Sequence, residues 1–138
     1  MKVFVDSDVI ISSLLSEKGA AYLLLKSDNI TPIISNISRN EIEIVVERLN
    51  IDQSKLKKLL KQLKRINLPL TLDKVEKKFS QYVTVIYDAH IVAGAIEGRV
   101  TFLITYNIRH FKIDKIKEDL NIIVMTPGQF IQYLRSRE

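Results

Sequence analysis

The sequence contains no cysteine and little glycine or proline, with 4 and 3 copies among 138 residues. Without cysteine the chain cannot form disulfides, thiolate zinc sites, iron–sulfur clusters or a cysteine nucleophile, so a reducing cytoplasm is the expected location. The low glycine and proline content argues against a fibrous or disordered chain. Long apolar runs are also missing, because Asp6 and Asp8 interrupt the first one. We therefore expect neither a signal peptide nor a membrane span.

The residues that are present suit one compact domain over residues 1–138. Hydrophobic residues make up 46% of the chain, which is enough to bury a substantial core. The formal net charge is +5, and the sequence pI is about 9.4. A basic surface favours an anionic partner, and nucleic acid is the first one to consider.

Short β-branched runs alternate with longer amphipathic segments along the chain. We predict strands at 3–5, 31–34, 100–104 and 122–125. Helices are predicted from about residue 8 and at 20–26, 39–49, 54–66, 73–81, 88–97 and 127–135. Thr126, Pro127 and Gln129 fit a capping box at the start of the last helix. This alternation predicts an α/β fold whose short central parallel sheet is covered by helices on both sides.

Polar residues gather next to the predicted strands, at the edge where parallel sheets bind ligands. They are Asp6, Asp8, Ser35, Glu41, Asp88, Thr105 and Asn107. Several carboxylates in one place repel one another unless a cation lies between them. Oxygen ligands select hard ions, so Mg²⁺ or Mn²⁺ is the expected cofactor. Such ions activate water for attack on a phosphodiester, while lysines would hold the phosphate backbone.

Each acid also has a purely structural interpretation. Ser38 and Glu41 have the spacing of a capping box, and Asp88 is a plausible helix starter. Asp8 fits the N-cap of the first helix. Asp6 is harder to explain in this way, because a carboxylate directly after a buried strand is costly unless it is paired or metal-bound.

The order of these motifs resembles the PIN-domain ribonucleases, in particular their toxin-type, VapC-like branch. The resemblance covers nearly the whole chain and rests on several segments taken together. They are Val5 to Ser12, Ile34 to Ile42, Asp88 to Ala95, Thr105 to Asn107 with Phe111, and Val124 to Phe130.

The resemblance implies a three-layer α/β/α fold and a metal-dependent endoribonuclease that cuts RNA. Asp6, Glu41 and Asp88 would be the metal-binding and catalytic carboxylates, and Thr105 and Asn107 would complete the site. It also implies a homodimer and a small antitoxin protein as partners.

Asn107 stands where many relatives carry a fourth aspartate. An asparagine offers a carbonyl oxygen but no charge, so the site would favour one tightly held ion. Asp8 is the residue expected to compensate for the missing charge, with Ser35 and Thr105 in supporting roles.

Alternatives remain open at the level of sequence. A phosphatase of the haloacid dehalogenase type would use Asp6 as nucleophile and Asp8 as acid–base, although its later lysine and acid pair are not evident. A catalytically silent fold that binds RNA or protein would explain Asn107 and the basic helix at 55–65.

A metal-free mechanism based on the two histidines is the least favoured alternative. His90 is expected to point away from the acidic cluster, about 200° round the helix from Asp88, and His110 lies on a predicted loop. General acid–base catalysis needs both groups within reach of one phosphate.

Overall fold

The computed structural model describes residues 1–138 and contains a five-stranded sheet and eight α-helices. The strands are β1 (Lys2–Val5), β2 (Thr31–Ser35), β3 (Lys64–Ile66), β4 (Phe102–Ile104) and β5 (Ile123–Met125). The helices are α1 (Ser7–Leu15), α2 (Ala20–Lys26), α3 (Asn36–Arg48), α4 (Gln53–Gln62), α5 (Leu72–Phe79), α6 (Ala89–Glu97), α7 (Ile113–Leu120) and α8 (Pro127–Ser136). Short 3₁₀ turns cover Ser80–Tyr82, Ile86–Asp88 and Ile108–His110. None of the helices has the length and apolar character needed to span a membrane.

All strands of the sheet are parallel, in the order β3-β2-β1-β4-β5. The strand order reverses at β1, which pairs with β2 on one side and β4 on the other. Val5 and Ile104, the last residues of β1 and β4, lie side by side. A crevice forms where the strand order reverses, so the carboxyl ends of β1 and β4 define the expected ligand site.

Helices cover both faces of the sheet, and alternate strand residues point to opposite faces. Phe4 and Leu103 belong to a core cluster with α5, α6 and α7. Val5 and Ile104 belong to a second cluster with α1, α2, α3, α4 and α8. These strand residues are fully buried, as expected for a parallel sheet with helices on both sides. The prediction of a three-layer α/β/α fold is confirmed.

One strand and one helix were not predicted. The helix expected at 54–66 ends at Gln62, and residues 64–66 form the edge strand β3 instead. Lys64 and Arg65 are exposed, so this strand has no apolar run that could reveal it. Helix α7 was not predicted. Only Ile116 on its inner face is buried, so the apolar pattern that would indicate a helix is weak.

Two predicted helix starts were also wrong. The first helix begins at Ser7 with Asp6 as N-cap, so Asp8 is not the cap. Helix α3 begins at Asn36, because the Ser35 hydroxyl accepts a hydrogen bond from the Ser38 backbone N–H at 3.1 Å. By contrast, the capping box predicted at the start of α8 is present.

Candidate active site

Asp6 lies at the bottom of the crevice between β1 and β4. Its backbone N–H donates to the Ile104 carbonyl at 2.9 Å, which extends the pairing of the two strands by one residue. Its side chain forms no capping hydrogen bond with α1. Instead, Oδ2 accepts a hydrogen bond from the Thr105 hydroxyl at 2.9 Å. The residue is only 6% exposed, so its carboxylate is held in a place where charge is costly.

Burial and, to a smaller extent, the neighbouring carboxylates of Asp8 and Asp88 together raise the pKa of the Asp6 carboxyl from 3.8 to about 7. The hydrogen bond from Thr105 acts in the opposite direction, because it stabilises the charged form. A carboxylate with this pKa is expected at sites where a cation or a proton is bound.

Asp8 extends the acidic site from the first turn of α1. Its Oδ2 atom accepts a hydrogen bond from the Tyr106 backbone N–H at 3.1 Å and lies 3.4 Å from the Thr105 hydroxyl. Its Oδ1 atom is buried and has no hydrogen-bond partner. Burial raises the pKa of the Asp8 carboxyl, as does the charge of Asp88, while the Tyr106 N–H lowers it.

Asp88 reaches the same edge from the other face of the sheet. It ends the 3₁₀ turn Ile86–Asp88 directly before α6, and its side chain makes no capping hydrogen bond. Burial raises the pKa of the Asp88 carboxyl, and the charge of Glu41 adds to this effect. Nearby His110 opposes it, since its Nδ1 atom lies 2.9 Å from Asp88 Oδ2.

Glu41 lies in the second turn of α3, not in its first turn as predicted. The capping-box interpretation is therefore wrong, because Ser35 rather than Ser38 caps the helix. Glu41 Oε1 lies 2.9 Å from Nε2 of His90, although this contact lacks the alignment of a hydrogen bond.

Both histidines thus lie at the acidic edge, and the prediction that His90 points away from it is wrong. The predicted angle counted Asp88 as a residue of the helix, whereas α6 begins at Ala89 after a 3₁₀ turn. His90 is buried, and its Nδ1 atom has no hydrogen-bond partner. The sequence did place both histidines close to predicted site residues, because His90 follows Asp88 by two positions and His110 follows Asn107 by three.

The remaining predicted residues have different positions. The Asn107 backbone N–H donates to the Thr105 hydroxyl at 3.0 Å, so the buried threonine connects Asn107 to Asp6. The Asn107 residue itself is exposed. Ser35 is fully buried, and its hydroxyl bonds Ser38 rather than any of the acids. Ser35 therefore positions α3, and with it Glu41.

The donor chemistry of this edge fits a hard divalent cation. Asp8 Oδ1 is buried without a hydrogen-bond partner, and Glu41 Oε1 and Asp88 Oδ2 lack an aligned hydrogen bond although each lies 2.9 Å from a histidine nitrogen. An unpaired oxygen of this kind is costly unless a cation or water occupies the site. No three Asp, Glu or His side chains lie close enough together to hold one ion as they stand. The ligand set is thus gathered at one edge without forming a closed coordination shell.

Thr105→Val should destabilise the protein by about 1–3 kcal/mol, because it leaves the Asn107 N–H without its acceptor. The same change removes a hydrogen bond that favours the charged form of Asp6, so the loss should be larger at pH 8 than at pH 5. Urea unfolding of metal-free protein at both pH values measures this. Thr84→Val is the matched control, because the Thr84 hydroxyl donates only to an exposed carbonyl, that of Arg109. An equal loss at both pH values would contradict the assigned hydrogen bond to Asp6.

The fold and the acidic edge define a class of protein, and comparison with known families identifies it. The sequence profile of the PIN domain matches residues 2–109, a range that contains all the acids described above. The chain belongs to the PIN-domain family. The resemblance seen in the motifs is confirmed, and the haloacid dehalogenase alternative has no support.

Solved structures with the same fold agree with this assignment. VapBC2 of Rickettsia felis, crystallised with a DNA fragment from its promoter, has a TM-score of 0.64 and 23% identity over 91% of this chain and 98% of that chain. A toxin–antitoxin complex from Klebsiella pneumoniae has a TM-score of 0.67 and 20% identity over 91% and 97%. PAE2754 of Pyrobaculum aerophilum has a TM-score of 0.63 and 17% identity over 99% and 90%. No protein of curated function matches the chain significantly.

Proposed function

We propose that this chain is a metal-dependent endoribonuclease and the toxin of a toxin–antitoxin pair. The observation that carries the proposal is the acidic edge itself. Asp6 and Asp8 at the start of α1 are joined there by Asp88 from a distant part of the chain, and burial together with neighbouring carboxylates raises the pKa of all three. Membership of the PIN-domain family supports nuclease chemistry at this edge.

In the proposed mechanism, Asp6, Glu41 and Asp88 would hold Mg²⁺ or Mn²⁺, and the bound ion would supply an activated water and neutralise phosphate charge. Thr105 keeps the Asp6 carboxylate in place through its 2.9 Å hydrogen bond. Asp8 adds negative charge close to Asp6, which suits a site where Asn107 brings none. Asn107 would orient water or phosphate with its side-chain amide.

The proposed partners are RNA, a second copy of the chain and a small antitoxin protein in the cytoplasm. The similar structure from Klebsiella pneumoniae is a toxin–antitoxin complex, which supports an antitoxin for this chain as well. The net charge of +5 supports an anionic substrate.

Cleavage of total RNA, with fragment ends mapped by sequencing, tests this function. Wild-type protein should cut in Mn²⁺ and not in EDTA, and Asp88→Asn should reduce the rate about 100-fold or more. Asp73→Asn is the matched control, because it makes the same change at an exposed position of α5. Equal cleavage under all these conditions would exclude a metal nuclease. Calorimetry that detects no Mn²⁺ binding would favour a catalytically silent fold.

A further inference from the structure

The rim of the acidic edge carries two exposed aromatic side chains. Tyr87 directly precedes Asp88 and is 72% exposed, and Tyr106 directly follows Thr105 and is 43% exposed. Neither tyrosine ring packs against another aromatic ring. Large aromatic side chains at the mouth of a site present flat apolar faces to whatever enters it.

The segments that carry the two tyrosines are tied to each other. The Thr84 backbone N–H donates to the His110 carbonyl at 2.8 Å, and the Thr84 hydroxyl donates to the Arg109 carbonyl at 3.2 Å. Val83 and Phe111 form an isolated antiparallel bridge. The tyrosines therefore belong to one connected rim rather than to two independent loops.

A cavity of about 350 Å³ lies on the Tyr106 side of this rim. It is lined by Tyr106, Asn107, Ile108, Arg109, His110 and Thr126. Its volume lies at the lower end of the range of small-ligand sites, about 300–1,000 Å³. The lining combines an aromatic ring, an amide and a guanidinium group, which are the groups that stack on a base, read its edge and contact a phosphate.

The start of α8 does not act as an anion site in this cavity. The Thr126 hydroxyl accepts a hydrogen bond from the Gln129 N–H, and the Thr126 N–H donates to the Gln129 side chain. Since the capping box occupies these groups, Arg109 is the permanently charged side chain that lines the cavity. A phosphate here would be held by a side chain next to the aromatic ring.

We infer that Tyr106 and Tyr87 are stacking platforms for two bases of a single-stranded RNA, with the Tyr106 base in the 350 Å³ cavity. This inference rests on the proposed function and adds two base-contacting residues that lie outside the acidic edge. Bases in a duplex are already stacked on each other, so only a single strand can place them on protein rings.

Binding in EDTA tests the inference without cleavage. A fluorescein-labelled 12-nucleotide RNA of mixed sequence, single-stranded or annealed to its complement, is titrated with the full chain, and anisotropy is recorded. Wild-type protein should prefer the single strand. Tyr106→Leu and Tyr87→Leu should each weaken single-strand binding about 5- to 100-fold, whereas Tyr106→Phe and Tyr87→Phe should retain it.

Leucine keeps an apolar side chain at each position, so the comparison with phenylalanine isolates stacking. Ile44→Ala is the control, because Ile44 is also an exposed apolar side chain, at 58%. This variant should leave RNA binding unchanged. Equal affinity of the leucine variants and wild type would overturn the inference, as would equal binding of duplex and single strand or no binding at all. A change in oligomeric state of Tyr87→Leu, with RNA binding retained, would assign Tyr87 to a protein contact. RNA cleavage in Mn²⁺ by the same proteins is measured separately. Cleavage by wild type with unchanged binding of the leucine variants would overturn the stacking inference and leave the proposed function intact.

Discussion

Asp6→Asn is expected to stabilise the metal-free protein at neutral pH while reducing RNA cleavage about 100-fold or more. The substitution removes a buried charge, preserves the size of the side chain and keeps an oxygen that can accept the Thr105 hydrogen bond. It also removes the repulsion from Asp8 and Asp88. Residues that hold a catalytic cation commonly weaken the fold in this way, because the arrangement is favourable only when the ligand is bound.

The pH dependence of this effect has a definite sign. The unfolded chain releases the Asp6 proton near pH 3.8, whereas the folded chain retains it until about pH 7. The folded state therefore binds more protons between these values, and the stability of wild type should fall as pH rises through this window. At about 1.4 kcal/mol per pKa unit, the upper bound on this loss is roughly 4 kcal/mol.

Urea unfolding in EDTA between pH 4.5 and 8 measures the effect. Asp6→Asn should flatten most of the slope, while Asp73→Asn should follow the wild-type curve. Addition of Mn²⁺ should raise the stability of wild type, by about 2.7 kcal/mol at one hundred times its dissociation constant, and should do less for Asp6→Asn. If Asp6→Asn is less stable than wild type at pH 8 without metal, the Asp6 charge does not destabilise the fold.

Gly94→Ala is expected to destabilise the fold by about 1–3 kcal/mol, although alanine favours a helix interior over glycine. A Cβ atom at Gly94 would clash with Phe4 Cζ and would lie 2.5 Å from Phe4 Cε2. The Phe4 ring is fully buried in β1 and cannot turn into solvent. Glycine at this position allows α6, and with it Asp88, to lie close against the central strand.

A double-mutant cycle separates this contact from a general effect of alanine. In a Phe4→Leu background, the ring is gone and Gly94→Ala should cost much less, or even stabilise. Gly128→Ala in α8 is the matched control, because a Cβ atom there meets only Thr126 Oγ1, at 4.0 Å. Thermal unfolding of all these variants provides the measurement. An equal cost of Gly94→Ala in both backgrounds would contradict the packing argument.

The positions of the acids were predictable because each follows from a local pattern. A short β-branched apolar run such as Val3 to Val5 favours a central strand, and a parallel sheet brings the residues after such strands to one edge. The pattern also placed Thr105 beside Asp6, although the two residues are far apart in the chain. The Thr105 hydroxyl donates a hydrogen bond to the Asp6 carboxylate.

The parts that were not predictable depend on tertiary pairing. The strand β3 exists because Lys64 to Ile66 pairs with Ile33 to Ser35, and its exposed charged residues give no strand signal of their own. The orientation of His90 depends on where the 3₁₀ turn before α6 ends, within a single residue. A helical-wheel angle cannot locate a side chain when the first residue used lies outside the helix.

The hydrogen bond between Asp6 and Thr105 spans 99 residues of sequence, and this separation governs when the site can exist during synthesis. The first strand emerges from the ribosome long before β4, so the β1 and β2 part of the sheet can form while the crevice still has only one wall. Asp6 remains hydrated and without its threonine until most of the chain has been made. The proposed nuclease activity would therefore be absent from every nascent chain that ends before Thr105, because such a chain lacks the donor to Asp6.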